Sequence, residues 1–309
     1  MKLCNLFKIF PFISITFLIV SSCHRLPPPA ADIAQPWGEQ KTFDYQGIKI
    51  NYYEAGQGPP VVLLHGFGAC AFTWRHLAPA LAGTGRVFAL DLKGHGLSGK
   101  PQDGKYAVSD QAEMVAAFIR DQNLQDAVLI GNSLGGAVAL MTYLQLREEQ
   151  PGRIKGLVLI ASAGYPQKLP WFVRLARMPV FNSLGRLLPP RFATGLVLRK
   201  CFYDKDKITE GMIDTYAYYG SLPGAADALR LTARQIVPPD MDAIIARYQT
   251  VRVPTLIIWG EQDEVVPLES GRNFHRDIPD SRLVILPRCG HLPQEEEPLE
   301  TRRVIQDFL

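Results

Sequence analysis

The stretch that most constrains this chain is Gly131-Asn132-Ser133-Leu134-Gly135-Gly136. It follows an apolar run over 126–130 and opens a run of helical spacing that reaches about residue 146. A strand that turns into a helix over so few residues leaves no space for side chains at 131 and 135. Ser133, at the apex, is expected in strained backbone, with its hydroxyl raised at the C-terminal edge of a sheet. The N-terminus of the following helix favours negative charge developing there. GxSxG is a short pattern that also arises by chance; the strand before it and the helix after it give it weight. The competing reading is a glycine-rich turn that serves packing alone.

The rest of the chain supplies the sheet. Residues 42–45 and 48–54 alternate and are joined by Gln46-Gly47, which predicts a hairpin. Six further strands are expected at 60–64, 86–92, 126–130, 154–161, 255–259 and 282–286. Most are near-continuous apolar runs, as in strands covered on both faces. Helical spacing falls at 71–81 and 108–121, and a closing helix is expected over 294–309. Strands alternating with helices predict an α/β fold with a mostly parallel, eight-stranded sheet and helices on both faces. From residue 162 to about 253 no comparable strand occurs, and a plain loop of that length is not expected. The stretch is read as a helical cap inserted over the sheet. The expected units are a core in two parts, 41–162 and 253–309, with the cap at 163–252.

A serine hydroxyl is a weak nucleophile at neutral pH and needs a base. His291, in Cys289-Gly290-His291, follows a strand on a loop with no apolar periodicity. Asp263, in Trp259-Gly260-Glu261-Gln262-Asp263, follows the strand at 255–259. Both fall at the sheet edge where open α/β folds place their sites, in the order Ser, Asp, His. Asp263 is expected to hold the His291 tautomer. Glu261 and Glu264 are its rivals, and 264–267 already reads as the next turn. The turn His65-Gly66-Phe67-Gly68 can present a backbone N–H to an oxyanion, so Phe67 and Leu134 are assigned as the two donors. His65 is read as a prop for that turn. Asp91 and His95, in a polar glycine-rich turn over 91–98, are read as structural. His24, His76 and His275 have no partners at ligand spacing, so no metal is expected, and the chemistry implies no cofactor.

Of the 309 residues, 47% are hydrophobic and 20% charged, enough for a core that needs no disulfides. The net charge of +3 and scattered lysines and arginines give no sign of nucleic-acid binding. Cys70, Cys201 and Cys289 are an odd set without CxxC spacing and are expected as buried free thiols, a disulfide between two of them being the alternative. Residues 1–22 read as a signal peptide: Lys2 and Lys8 flank the start of an apolar run over 9–20, and Ser21-Ser22 precede Cys23.

Together these motifs resemble the α/β-hydrolase family, in its capped serine esterase and lipase branch. The resemblance runs from about residue 42 to 309, through 65–68, 91–98, 131–136, 260–263 and 290–291, ending in Leu292-Pro293-Gln294-Glu295. It implies acyl transfer to water through Ser133. Haloalkane dehalogenases and epoxide hydrolases carry Asp where this chain has Ser133. Hydrolases that cleave carbon–carbon bonds in meta-cleavage products share the elbow, but their histidine is usually followed by Trp and a cap arginine binds the substrate's carboxylate. Here Leu292 follows His291, and Arg191, Arg199 and Arg230 are undistinguished candidates for the arginine. Ester hydrolysis is the favoured reading; carbon–carbon hydrolysis of diketo acids and a non-catalytic binding role are the alternatives. Nine bulky cap residues, among them Trp171, Phe172, Tyr216 and Tyr219, are expected mostly as the cap's own core, and otherwise as an apolar pocket for an acyl chain.

Val20-Ser21-Ser22-Cys23 also resembles a bacterial lipoprotein signal. That resemblance implies an acylated Cys23 as first residue of the mature chain, with 23–40, including Pro27-Pro28-Pro29, as an extended tether. It implies a place in the cell envelope, lipid-anchored at the outer membrane or periplasmic face. The expected partners are the membrane and a small-molecule or lipid ester, with no obligate protein partner. An ordinary signal peptide cut nearby is the alternative.

Overall fold

The computed structural model describes residues 38–178 and 188–309. The expected signal peptide, Cys23 and most of the tether lie outside the described residues. In chain order the elements are β1 Glu39–Tyr45, β2 Ile48–Ala55, β3 Pro60–Leu64, α1 Ala78–Leu81, β4 Arg86–Leu90, α2 Val108–Asp121, β5 Ala127–Asn132, α3 Leu134–Glu149 and β6 Ile154–Ile160. Then come α4 Trp171–Ala176, α5 Pro190–Cys201, α6 Glu210–Gly220, α7 Ala225–Gln235 and α8 Met241–Ala246. The chain closes with β7 Thr255–Gly260, α9 Leu268–Asp277, β8 Ser281–Leu286, α10 Pro293–Glu296 and α11 Pro298–Gln306.

The eight strands form one sheet in the order β1-β2-β4-β3-β5-β6-β7-β8. β1 and β2 are an antiparallel hairpin, β2 runs antiparallel to β4, and the remaining pairs are parallel. Alternate residues feed opposite faces, as the pleat requires. Val62, Leu64, Phe88 and Leu129 enter one core, while Val61, Leu63, Val87 and Ile130 enter the other. Helices therefore cover both faces. Between β3 and β5 the strand order reverses, because the chain builds β4 on one side of β3 and then returns to the other. Loops diverge at such a point and leave a crevice at the carboxyl ends of the strands.

The elements differ from expectation where proline or charge intervenes. β1 begins at Glu39, within the stretch assigned to the tether, because Lys41 bridges Glu39 and Glu54 across the hairpin at 3.0 Å each. Residues 71–81 are not one helix but a 3-10 turn at Ala71–Trp74 followed by α1. Pro79 lacks the N–H that a continuous helix would donate to position 75. The closing helix is divided into α10 and α11, because Pro298 excludes helical backbone from Glu297, which stands at φ −126°, ψ 60°.

Among the described residues, five α-helices lie between β6 and β7. α5 packs on α6 and α4 on α7. Of the cap's bulky residues, Phe202, Tyr216 and Tyr219 are buried, whereas Trp171, Phe192 and Tyr203 are exposed. Cys70, Cys201 and Cys289 are free and buried.

Candidate active site

Ser133 stands between β5 and α3 at φ +54°, ψ −117°, a strained conformation for a residue with a side chain. A Cβ at Gly131 would run into the Gly135 carbonyl, and one at Gly135 into the Leu64 carbonyl. The turn is tied down on the β6 side: Ser133 N–H donates to Ile160 O at 2.9 Å, and Ser133 O accepts from Ala163 N–H at 3.0 Å. Leu134 is the first residue of α3, so its N–H has no intrahelical acceptor.

Phe67 enters from the neighbouring strand, on the turn that follows β3. His65 fixes that turn. Its Nδ1–H donates to Gly66 O at 2.8 Å, and its Nε2 accepts from Leu92 N–H at 2.9 Å. Only the neutral ring does both, and burial pulls its pKa down to about 4. Asp91 is structural in the same way. Its Oδ1 accepts from Ala71 N–H at 2.7 Å, and Oδ2 from Leu97 N–H at 2.8 Å and Asn51 Nδ2 at 2.9 Å.

His291 and Asp263 arrive from the loops after β8 and β7 and meet, with His291 Nδ1 2.8 Å from Asp263 Oδ2. The Asp263 side chain is fully buried. Its Oδ1 accepts from Val265 and Val266 N–H at 2.8 and 2.9 Å. The rivals turn outward: Glu264 pairs with Lys200, and Glu261 accepts from the Gln262 side chain at 2.8 Å. His291 and Ser133 face one cavity, together with Phe67 and Leu134. Among the described residues no hydrogen bond joins the Ser133 hydroxyl to the imidazole, a bond that commonly tightens only around substrate.

The cavity has a volume of about 1050 Å³ and runs between sheet edge and cap. Its charged or titratable lining consists of His291, Glu295, Asp227, Cys201 and the three tyrosines Tyr165, Tyr216 and Tyr248 among apolar side chains; among the described residues no lysine or arginine lines it. Arg191 instead pairs with Glu210 at 2.5 Å and with Asp214, Arg230 lies 3.6 Å from Asp227, and Arg199 is on the outer surface of α5.

Two residues that sequence reasoning left without a role hold this arrangement together. Glu295 accepts from Thr73 Oγ1 at 2.7 Å and from the cap's Tyr216 hydroxyl at 2.6 Å, and pairs with Arg75 at 2.6 Å. Glu296 accepts from three backbone N–H groups: Gly290 at 2.7 Å, Asp204 at 2.6 Å and Tyr203 at 3.2 Å. The signal for them is the run of glutamates at 295–297, close after His291 and next to apolar residues.

Residues 59–298 match the family described as alpha/beta hydrolase fold. The chain belongs to that family. This α/β-hydrolase is 31% identical over 273 residues to the uncharacterized hydrolase YugF of Bacillus subtilis, covering 87% of this chain and 97% of that protein. It is also 31% identical over 270 residues to 2-hydroxy-6-oxo-6-(2'-aminophenyl)hexa-2,4-dienoic acid hydrolase of Metapseudomonas resinovorans, covering 85% and 88%. Among solved structures, a bacterial membrane phospholipase A superposes with a TM-score of 0.72 at 26% identity, covering 88% of this chain and 86% of that one.

Proposed function

We propose that this α/β-hydrolase cleaves uncharged carboxylic esters with apolar acyl groups, through an acyl-enzyme on Ser133. The observation that carries this reading is the cavity wall, apolar over most of its extent and without a lysine or arginine among the described residues. An acyl chain gains about 25 cal/mol per Å² buried there. A substrate carboxylate would lose water and meet no lysine or arginine among the described residues.

In the proposed cycle His291 Nε2 takes the Ser133 hydroxyl proton as Oγ bonds to the ester carbonyl carbon. Asp263, 2.8 Å from Nδ1, holds the tautomer and stabilises the imidazolium. The tetrahedral oxyanion receives hydrogen bonds from the Phe67 and Leu134 N–H groups. Collapse breaks the bond to the alcohol, which takes its proton from His291. Water, deprotonated by His291, then attacks the acyl carbon and releases the acid. Nucleophile and base both come from the chain, so the proposal assigns no metal or cofactor.

The test is hydrolysis of p-nitrophenyl esters of increasing acyl length by the full chain and by Ser133→Ala. Activity confined to the parent and highest on medium or long chains is expected; preference for short, polar acyl groups alone would sink the apolar part. A second reading, hydrolysis of a carbon–carbon bond in a diketo acid, is favoured by the relative whose name makes it a hydrolase of a hydroxy-oxo-dienoic acid. Labelling of Ser133 by a fluorophosphonate without turnover of any ester would move the reading there. No labelling at all would favour a binding protein.

The N-terminal pattern supports a further proposal, lipid attachment at Cys23 and a place in the cell envelope. Incorporation of a fatty-acid label that disappears in Cys23→Ser is the expected result.

A further inference from the structure

Four large apolar residues both line the cavity and are exposed to solvent: Trp171 at 42%, Leu188 at 43%, Leu196 at 39% and Val237 at 45%. A side chain with both properties stands at an opening. These four come from α4, from the approach to α5 and α5 itself, and from the link between α7 and α8. Phe192, at 56%, lies one helical turn before Leu196 on α5 and outside the cavity wall. Exposed apolar residues gathered around one cavity mouth mark an interaction site more often than scattered ones do.

The same region is basic. Residues 163–252 hold thirteen lysines and arginines against seven aspartates and glutamates, so the cap is more positive than the whole chain at +3 and the core is net negative. Lys168, Arg174, Arg177, Arg199 and Arg234 are exposed. Among the described residues the cap's ion pairs use Arg191, Lys200, Lys207, Arg230 and Arg247, not these five. Trp171 and Arg174 share the outer face of α4, whose Val173 and Ala176 point inward. Arg234 Nε donates to Arg177 O at 3.4 Å, which brings the end of α7 to the end of α4.

Aromatic and aliphatic side chains interspersed with cations that have no ion pair among the described residues are the composition of a surface that lies in a lipid interface, where tryptophan is favoured. The rim is also continuous with the cavity, so an acyl chain can pass from an apolar phase to Ser133 without crossing water. We propose that the mouth of the cap docks on an anionic lipid surface and draws its ester from there. The second half of this proposal rests on the ester reading; the docking does not.

The test uses the full chain with vesicles of phosphatidylcholine, alone or mixed with phosphatidylglycerol. Trp74 and Trp259 are fully buried, and with Trp37 of the N-terminal stretch replaced by Phe in every sample, vesicle contact at the rim is read by Trp171 emission. The expected result is a blue shift on mixed vesicles, weaker on phosphatidylcholine, reduced by salt and absent from Trp171→Phe. Phe192→Glu and Arg174→Glu lie off the cavity wall. They are expected to raise the lipid concentration for half-maximal shift by about tenfold, with hydrolysis of dissolved p-nitrophenyl butyrate unchanged. No shift on either vesicle, or an equal shift in Phe192→Glu, overturns the docking. The butyrate rate reads the chemistry separately, so failure of docking and failure of the ester reading are told apart.

Discussion

Asp263 divides its carboxylate between two tasks. Oδ1 is held by the Val265 and Val266 N–H groups, which fixes the side chain independently of His291, and Oδ2 meets Nδ1 at 2.8 Å. Asp263→Asn keeps an oxygen at the first position, because those donors need an acceptor, and turns an NH₂ toward the ring. The imidazole must then carry its proton on Nε2, where it cannot take one from Ser133. The expected outcome is a fall of about 10⁴ in kcat on p-nitrophenyl butyrate, with the melting temperature nearly unchanged. His65 and His95 belong to the support of the site, and their consequence is for stability. Their rings lie 5.2 Å apart, and burial pulls them down to about 4 and about 3, from an ordinary 6.5. Unfolding restores the ordinary value, so between about pH 4 and 6.5 the unfolded chain binds more protons than the folded one. Stability therefore rises with pH across that window and is lost as pH falls through it, by up to about 1.4 kcal/mol per unit for each histidine. Urea midpoints measured from pH 7 to pH 5 should fall steadily. A flat series would mean that the pair is not held neutral.

At the scale of elements, the loop that carries His291 is held from outside its own strand. His291 N–H donates to Cys201 O at 2.6 Å, at the end of α5, and Glu296 gathers Gly290, Tyr203 and Asp204 onto one buried carboxylate. In Glu296→Gln an NH₂ faces at least one of those N–H groups. The expected loss is about 2–3 kcal/mol of stability, with about a tenfold drop in kcat on p-nitrophenyl butyrate and a smaller change in KM. Calorimetry and initial rates check it, and a glutamine variant equal to the parent in both would show that the loop is fixed by other bonds. The strands and the order Ser133, Asp263, His291 were legible in the chain because apolar runs and glycine turns are local signals. What escaped was non-local. The bonds of Glu295 and Glu296 reach Thr73, Arg75, Tyr216 and residues 203–204, partners that no spacing reveals. Pro79 and Pro298 were visible, but helical spacing on either side of each masked the break.

Across the whole molecule the charges are placed away from the chemistry. The cap is basic outside, the core is net negative, and the cavity between them has no cation on its wall among the described residues and one buried carboxylate, Glu295, already committed to Arg75, Thr73 and Tyr216. On the ester reading, an ester whose acyl chain ends in a carboxylate gives up hydration for a largely apolar wall with no lysine or arginine among the described residues. A penalty of about 3 kcal/mol, modest beside full burial of a charge, corresponds to about a hundredfold in kcat/KM. A p-nitrophenyl hemiester and its methyl-capped counterpart of equal length measure it directly: the capped ester should be the better substrate by at least about that factor. The comparison bears on the choice between the two hydrolytic readings, because a diketo-acid hydrolase needs to welcome a charge for which the described wall holds no lysine or arginine. A ratio near one, or a preference for the acid, would mean that a cation reaches the bound substrate, and the carbon–carbon reading would then lead.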